Sequence, residues 1–344
     1  MHVTRRQVAV CCSLGLGGAL LWGVIHWVGW QRIVRQFLAL SPIGFVLFFL
    51  NAFLMFFLWA VTWRILLRSY GVHRGWGEVL GAFAGGYTVT YITPSANFGG
   101  EPVRIYLLTR RFTTQVAEVT SSVVVERFLN MLSALVLVFI GSVYGLFTHR
   151  LSAWVRLGLF VWASTGMVLM GMVMVYFARR HIWMTKFLRF LARLIPWRGY
   201  LERAASWFLK VEREIEDAFS PGHRRGTILA FIPALLSSVL FALSPLIFVY
   251  FTQGATLSIL DLSLIFALTM FLNMFLWITP GGVGIVAGGM VGIFGLFGLS
   301  KAAAVGFSFA LKMTEITFVL CGISYMLSRG AAHLLRHPIV QADE

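Results

Sequence analysis

The sequence predicts an all-α polytopic membrane protein, with about seven to eight transmembrane helices in two repeated halves, each half carrying a Gly/Pro-broken segment that either re-enters or spans. Three observations lead there. Of 344 residues, 59% are hydrophobic and only 12% charged, whereas a soluble domain is about a quarter charged. Uncharged runs at 8–28, 43–63, 128–147 and 157–178 each reach the roughly 20 residues that span a bilayer core; 226–260 and 262–300 are longer and must fold back or break. The tripeptide Ile-Thr-Pro occurs at Ile92-Thr93-Pro94 and again at Ile278-Thr279-Pro280, each time ahead of a glycine-rich tract. The alternating segments of a β-barrel are absent.

The elements follow in order. The opening MHVTRRQVAVCC has the charge of a signal peptide, but its apolar run is too long and no small-x-small cleavage site follows, so residues 8–28 read as a retained first helix. Arg5 and Arg6 hold the N-terminus inside, and the second helix returns to Arg64, Arg68 and Arg74. Residues 79–100 are uncharged, rich in Gly and Thr, and interrupted by Pro94. A full crossing would carry Arg104, Arg110 and Arg111 outside, so the broken segment 79–111 is predicted to be a re-entrant hairpin. The helix from about 114 to 147 then exits and 154–177 returns, with Arg32, Arg35, Arg150 and Arg156 as mild departures from the positive-inside pattern.

Eleven of the 28 basic residues and five acids lie in 179–225. There Leu201, Ala204, Phe208, Val211, Ile215 and Phe219 recur at helical spacing opposite a charged face. This is an amphipathic cytoplasmic linker between a first membrane half, 1–178, and a second, 226–344, whose broken segment is 278–300. In the second half, 226–251 exits to a charge-free loop and Asp261 opens the next helix. The last helix, 302–327, ends at Arg329 and Arg336. A cytoplasmic C-terminus requires the glycine-rich tract to count as a crossing; a re-entrant tract puts it outside.

The repeat carries the functional argument. Glu126 stands 32 positions after Pro94 (126−94), and Lys312 stands 32 after Pro280 (312−280). FLN at 49–51 also echoes FLN at 271–273. Non-helical backbone at membrane depth is tolerated only where protein covers it or it lines a wet cavity. Paired breaks in two halves therefore point to a transporter binding site. A helix starting after such a break aims N–H groups and a positive dipole end at an anion, and Arg104 adds a planar fork suited to phosphate. Gly284, Gly288 and Gly292 form a small-xxx-small stripe, a spacing that also serves close helix packing.

Ionisable groups within the apolar helices are functional candidates. Arg127 is expected to face the cavity, and Glu126 to neutralise a basic neighbour, Lys312 or Arg104. Lys312 and Glu315 can pair locally. Glu101 and Glu118 read as solvated, and Asn51, Asn130 and Asn273 as bonds between helices. Cys11, Cys12 and Cys321 read as small core residues without disulfide or metal partners. A net charge of +15 then reports orientation and headgroup contact rather than nucleic acid.

TPSANFGGEPVRIYLL, VVVERFLNML and TPGGVG together resemble the lysylphosphatidylglycerol synthase transmembrane family, also called flippase-like domain proteins. Gly99, Gly100, Arg104, Arg127, Pro280, Gly281, Gly282 and Gly284 match its signatures by position. Ala287 stands where the family usually has Glu, and Lys312 or Glu315 stands near a usual Arg. The resemblance implies movement of an anionic, aminoacylated, glycosylated or polyprenyl-type lipid between leaflets of the cytoplasmic membrane, without the soluble aminoacyl-transferase domain. Thr93, Pro94, Gly99, Gly100, Arg104, Glu126, Arg127, Pro280, Gly281, Gly282, Gly284, Lys312 and Glu315 are the expected substrate-binding set. No catalytic motif, metal set or cofactor is expected. The alternatives are an accessory subunit partnering a lipid-synthesis enzyme, and a membrane enzyme acting on a lipid-linked substrate.

Overall fold

A computed structural model describes residues 22–23, 26, 28, 30–93, 99–109, 115–178, 224–273 and 285–329. The helices are α1 (Trp30–Leu38), α2 (Pro42–Ser69), α3 (Trp76–Ile92), α4 (Glu101–Thr109), α5 (Val116–Phe147), α6 (Ala153–Ala178), α7 (Arg224–Gln253), α8 (Ile259–Asn273), α9 (Ile285–Leu296) and α10 (Lys301–Ser328). Among the described residues there is no strand. α2, α5, α6, α7 and α10 are long and apolar enough to cross a bilayer. The chain is a multi-pass α-helical membrane protein. Most of the predicted first helix and nearly all of the 179–225 linker, with its amphipathic helix, fall outside the described residues.

Local chemistry sets the helix starts. Ser41 caps α2 by accepting from Gly44 N at 3.1 Å, with Pro42 at the first helical position. Ser300 does the same for α10 through Ala303 N. α8 opens on a reciprocal box: Ser258 Oγ accepts from Asp261 N at 3.1 Å, and Ser258 N donates to Asp261 Oδ2 at 3.4 Å. Asp261 is therefore the predicted opening residue, in a capping role.

The broken segments are pairs of short helices. α3 has 17 residues and α4 nine; α8 has 15 and α9 twelve. At about 1.5 Å per residue, even α3 is shorter than a hydrocarbon core of about 30 Å. Each pair leaves and returns at one end of the bundle. Arg74 Nη2, just before α3, donates to Gln115 Oε1, just before α5, at 2.8 Å. Gln253, ending α7, donates to Ser300, capping α10, at 2.7 Å. The first hairpin agrees with the re-entrant reading. The second corrects the prediction about the C-terminus. The glycine-rich tract is one arm of a round trip whose other arm is α8, so a re-entrant tract does not move the C-terminal end of α10 across the bundle. Gly81 packs on Tyr325 and Thr88 Oγ1 donates to Val319 O at 3.1 Å, so α3 and α10 run antiparallel and Arg329 joins Arg74 at one end.

The two halves are one plan used twice. Shifting α2–α5 by 186 positions, the separation of Pro94 from Pro280, moves the helix starts to 228, 262, 287 and 302; the observed starts of α7–α10 are 224, 259, 285 and 301. α2 and α7 lie side by side and antiparallel: Gly44 packs on Phe251, Asn51 Nδ2 donates to Leu240 O and Ser244 Oγ at 3.0 Å each, and Gly226 packs on Ser69. The hairpins are exchanged. α3 packs on α10, where Gly322 admits the Ala84 carbonyl, and α8 packs on α5, where Gly141 admits the Ser263 carbonyl. Equivalent helices set antiparallel mean that the repeats are inverted relative to each other. The FLN echo does not belong to this register: Asn51 lies inside α2, whereas Asn273 ends α8.

Two of the arginines that depart from the positive-inside pattern have structural partners. Arg156 donates to the carbonyls of Leu146 and Thr148 at the end of α5, at 3.2 and 3.3 Å. Arg150 pairs with Asp261 at 3.5 Å.

Candidate functional site

The site is built around the reversal between α3 and α4. Gly99 has φ +146°, a conformation that L side chains rarely adopt. A Cβ on Gly100 would overlap the Gly86 carbonyl oxygen, and its N–H donates to Thr90 Oγ1 at 3.0 Å. The two glycines let α4 fold back against α3, and the Arg104 stem packs over Gly86. Thr93 closes α3, its hydroxyl bonding Val89 O at 2.7 Å. Pro94 lies outside the described residues.

α4 presents Glu101 and Arg104 three positions apart, and α5 presents Glu126 and Arg127 side by side. They form two crossed ion pairs. Arg104 Nη1 meets Glu126 Oε2 at 3.0 Å, with both side chains at most 2% exposed. Arg127 Nη2 meets Glu101 Oε1 at 2.6 Å, with Arg127 38% and Glu101 18% exposed. The inner pair is enclosed. The Arg104 guanidinium lies over Trp63, 4.4 Å from the ring centroid, and over Phe83 at 4.5 Å. Trp63 is held by its indole N–H on Ser122 Oγ at 3.0 Å, and Asn130 donates to the other oxygen of Glu126. Nε and Nη2 of Arg104 and Nε of Arg127 make no hydrogen bond within the described residues.

These contacts resolve and correct the sequence reading. The basic neighbour of Glu126 is Arg104, and Lys312 pairs locally with Glu315. Glu101 is not merely solvated: it grips Arg127, and its Oε2 accepts from Gly99 N at 2.8 Å, so the chain's own carboxylate engages the break ahead of α4. Among the described residues Asn130 bonds within its own helix and Asn273 reaches Met270 of its own helix, while Asn51 ties two helices together. Cys321 is exposed on α10 rather than buried in a core.

The second half contributes Lys312 and Glu315 to the neighbourhood of the first break. Lys312 Nζ lies 5.5 Å from the Tyr91 ring centroid, two residues before Thr93 closes α3. Pro280, Gly281, Gly282 and Gly284 lie outside the described residues. In the glycine stripe, Gly292 faces open space; beside the stripe, Gly289 packs on Leu272 of α8. Trp63, Phe83, Thr90 and Tyr91 were not singled out from sequence. An aromatic residue in an apolar run reads as lipid-facing, and only the buried guanidinium beside it gives it another role.

A profile of the lysylphosphatidylglycerol synthase TM region matches residues 10–322. A UPF0104 membrane protein of Pyrococcus horikoshii is 22% identical over 340 residues, covering 94% of this chain and 98% of the relative. Another from Methanothermobacter thermautotrophicus is 21% identical over 309 residues, covering 84% and 86%. No solved structure matches the chain. With most of the helical bundle and the charged first hairpin inside the matched region, the chain belongs to the lysylphosphatidylglycerol synthase transmembrane-region family.

Proposed function

We propose that the protein is a lipid translocase that receives an anionic lipid headgroup at Arg127 and passes it between leaflets without making or breaking a bond. The observation that carries this reading is the contrast between the two crossed pairs. Arg104 is buried in an aromatic and carboxylate cage, whereas Arg127 is half open and held by Glu101. Glu101 holds Arg127 through one oxygen on Nη2 and leaves Nε without a hydrogen bond among the described residues, whereas a phosphate can engage the guanidinium fork bidentately. The freed Glu101 retains the Gly99 N–H, so headgroup binding couples directly to the hairpin turn. The substrate class is an anionic, aminoacylated, glycosylated or polyprenyl-type lipid, and the family's description supports a role beside phospholipid. The end of the bundle carrying Arg64, Arg68, Arg74, Arg224, Arg225 and Arg329 is read as cytoplasmic, with the N-terminus on that side.

The test is leaflet exchange of a fluorescent phosphatidylglycerol in proteoliposomes, followed by external quenching. The wild-type protein accelerates exchange, and Arg127→Ala returns it to the rate of empty vesicles while keeping its elution profile. A wild-type rate equal to that of empty vesicles, for phosphatidylglycerol and for other anionic lipid probes, sinks the reading.

A further inference from the structure

The inverted repeat makes two seams equivalent: α2 against α10, and α7 against α5. The second is shut. Ser133 and Ser238 meet at 2.8 Å across it, and Val125, Leu129, Ala230 and Ala234 are buried beside them. The first is open. Between α2 and α10 runs a groove of about 390 Å³, within the range of about 300–1,000 Å³ typical of ligand sites. Val46, Phe49, Leu50 and Phe53 form one wall and Thr317 and Phe318 the other.

We propose that this groove binds the hydrocarbon chain of a membrane lipid and serves as the lateral portal of the translocation site. The proposal rests on the translocase reading for the portal role; chain binding stands without it. Three observations choose the occupant. Val46, Leu50 and Phe53 are 61, 56 and 60% exposed on a bilayer-spanning helix, so the medium at the groove is hydrocarbon. The hydroxyls of Thr314 and Thr317 are spent on Leu311 O and Met313 O, so the threonines offer no free donor to a polar occupant. The floor runs inward to the charged hairpin. Phe318 stacks on Phe56 at 4.3 Å and meets Tyr87 of α3 edge-on at 6.2 Å, and one turn earlier Glu315 pairs with Lys312 beside Tyr91. A chain in the groove thus lies beside the helices that carry the polar site, as an amphiphile requires.

The experiment uses full-length protein in nanodiscs holding a trace of phosphatidylglycerol with a diazirine in its acyl chain. After photolysis, adducts are mapped by peptide mass spectrometry. Groove peptides are expected to carry roughly tenfold more label than the lipid-exposed face of α6 around Val161–Leu169, a preference of about 1.4 kcal/mol. The variant Val46→Trp with Leu50→Trp, at two exposed positions, fills the groove and removes the excess label without changing the melting temperature. Equal labelling of groove and α6 overturns the proposal, as does excess label that survives the double Trp variant. Arg127→Ala keeps the label. Label in the groove without leaflet exchange overturns translocation while leaving chain binding intact.

Discussion

The four charges at the hairpin differ in what they stabilise. Removing one partner of the enclosed Arg104–Glu126 pair strands a charge among Trp63 and Phe83, which costs about 3–5 kcal/mol. Arg104→Ala or Glu126→Ala is therefore expected to lower resistance to unfolding sharply in a denaturing-detergent titration. Arg104→Met combined with Glu126→Leu should recover most of it, since apolar replacement of a buried pair is often neutral. Glu101→Gln or Arg127→Ala, at the half-open pair, should cost less, about 1 kcal/mol. If the double apolar variant is no better than the singles, the pair is not the isolated buried unit described here. The residue types were visible in the sequence, because charge in an apolar run is conspicuous. Their pairing was not. Whether Glu126 meets Arg104 or Lys312 depends on how α4 docks on α5, and no spacing along the chain encodes that docking.

At the scale of the element, a hairpin of short helices needs a turn that brings two backbones together. Gly100 sits where any side chain strikes the Gly86 carbonyl, so Gly100→Ala should destabilise by about 1–3 kcal/mol, as overpacking does. It should also loosen the Thr90 contact, read as faster amide exchange at residue 100. Gly292 meets nothing within 4 Å, so Gly292→Ala should gain about 0.5–1 kcal/mol in helix stability. Unchanged stability in both variants would mean that neither glycine has the role assigned to it. Proline, glycine and threonine clusters announced both breaks, and the charge rule placed the first hairpin on one side. The rule was less useful at the second hairpin, where Lys301 alone adjoins the tract and the helix opened by Asp261 reads from its sequence as a full crossing. Of the small-xxx-small stripe, Gly292 faces open space: periodicity does not reveal which face meets a neighbour.

Across the whole molecule, the inverted repeat presents two equivalent seams in unequal states. If transport requires them to open in turn, fixing the shut seam must stop it. Ser133→Cys with Ser238→Cys places two thiols where the hydroxyls stand 2.8 Å apart. Oxidation is expected to abolish leaflet exchange and reduction to restore it, in the same fluorescent assay. Full activity of the oxidised pair would show that the α5–α7 seam never parts. The duplicated Ile-Thr-Pro and the common 32-residue offset carried this level of organisation in the sequence, while the FLN echo was chance similarity between apolar helices. The inverted arrangement has one more consequence. A scaffold whose halves are related by a half-turn about an axis in the bilayer plane has almost no intrinsic top or bottom. Its sense of insertion during biosynthesis then rests on basic residues gathered at one end, among them Arg64, Arg68 and Arg74 beside Arg224, Arg225 and Arg329. Moving those charges to the far loops would turn the same bundle upside down, with its helix packing undisturbed.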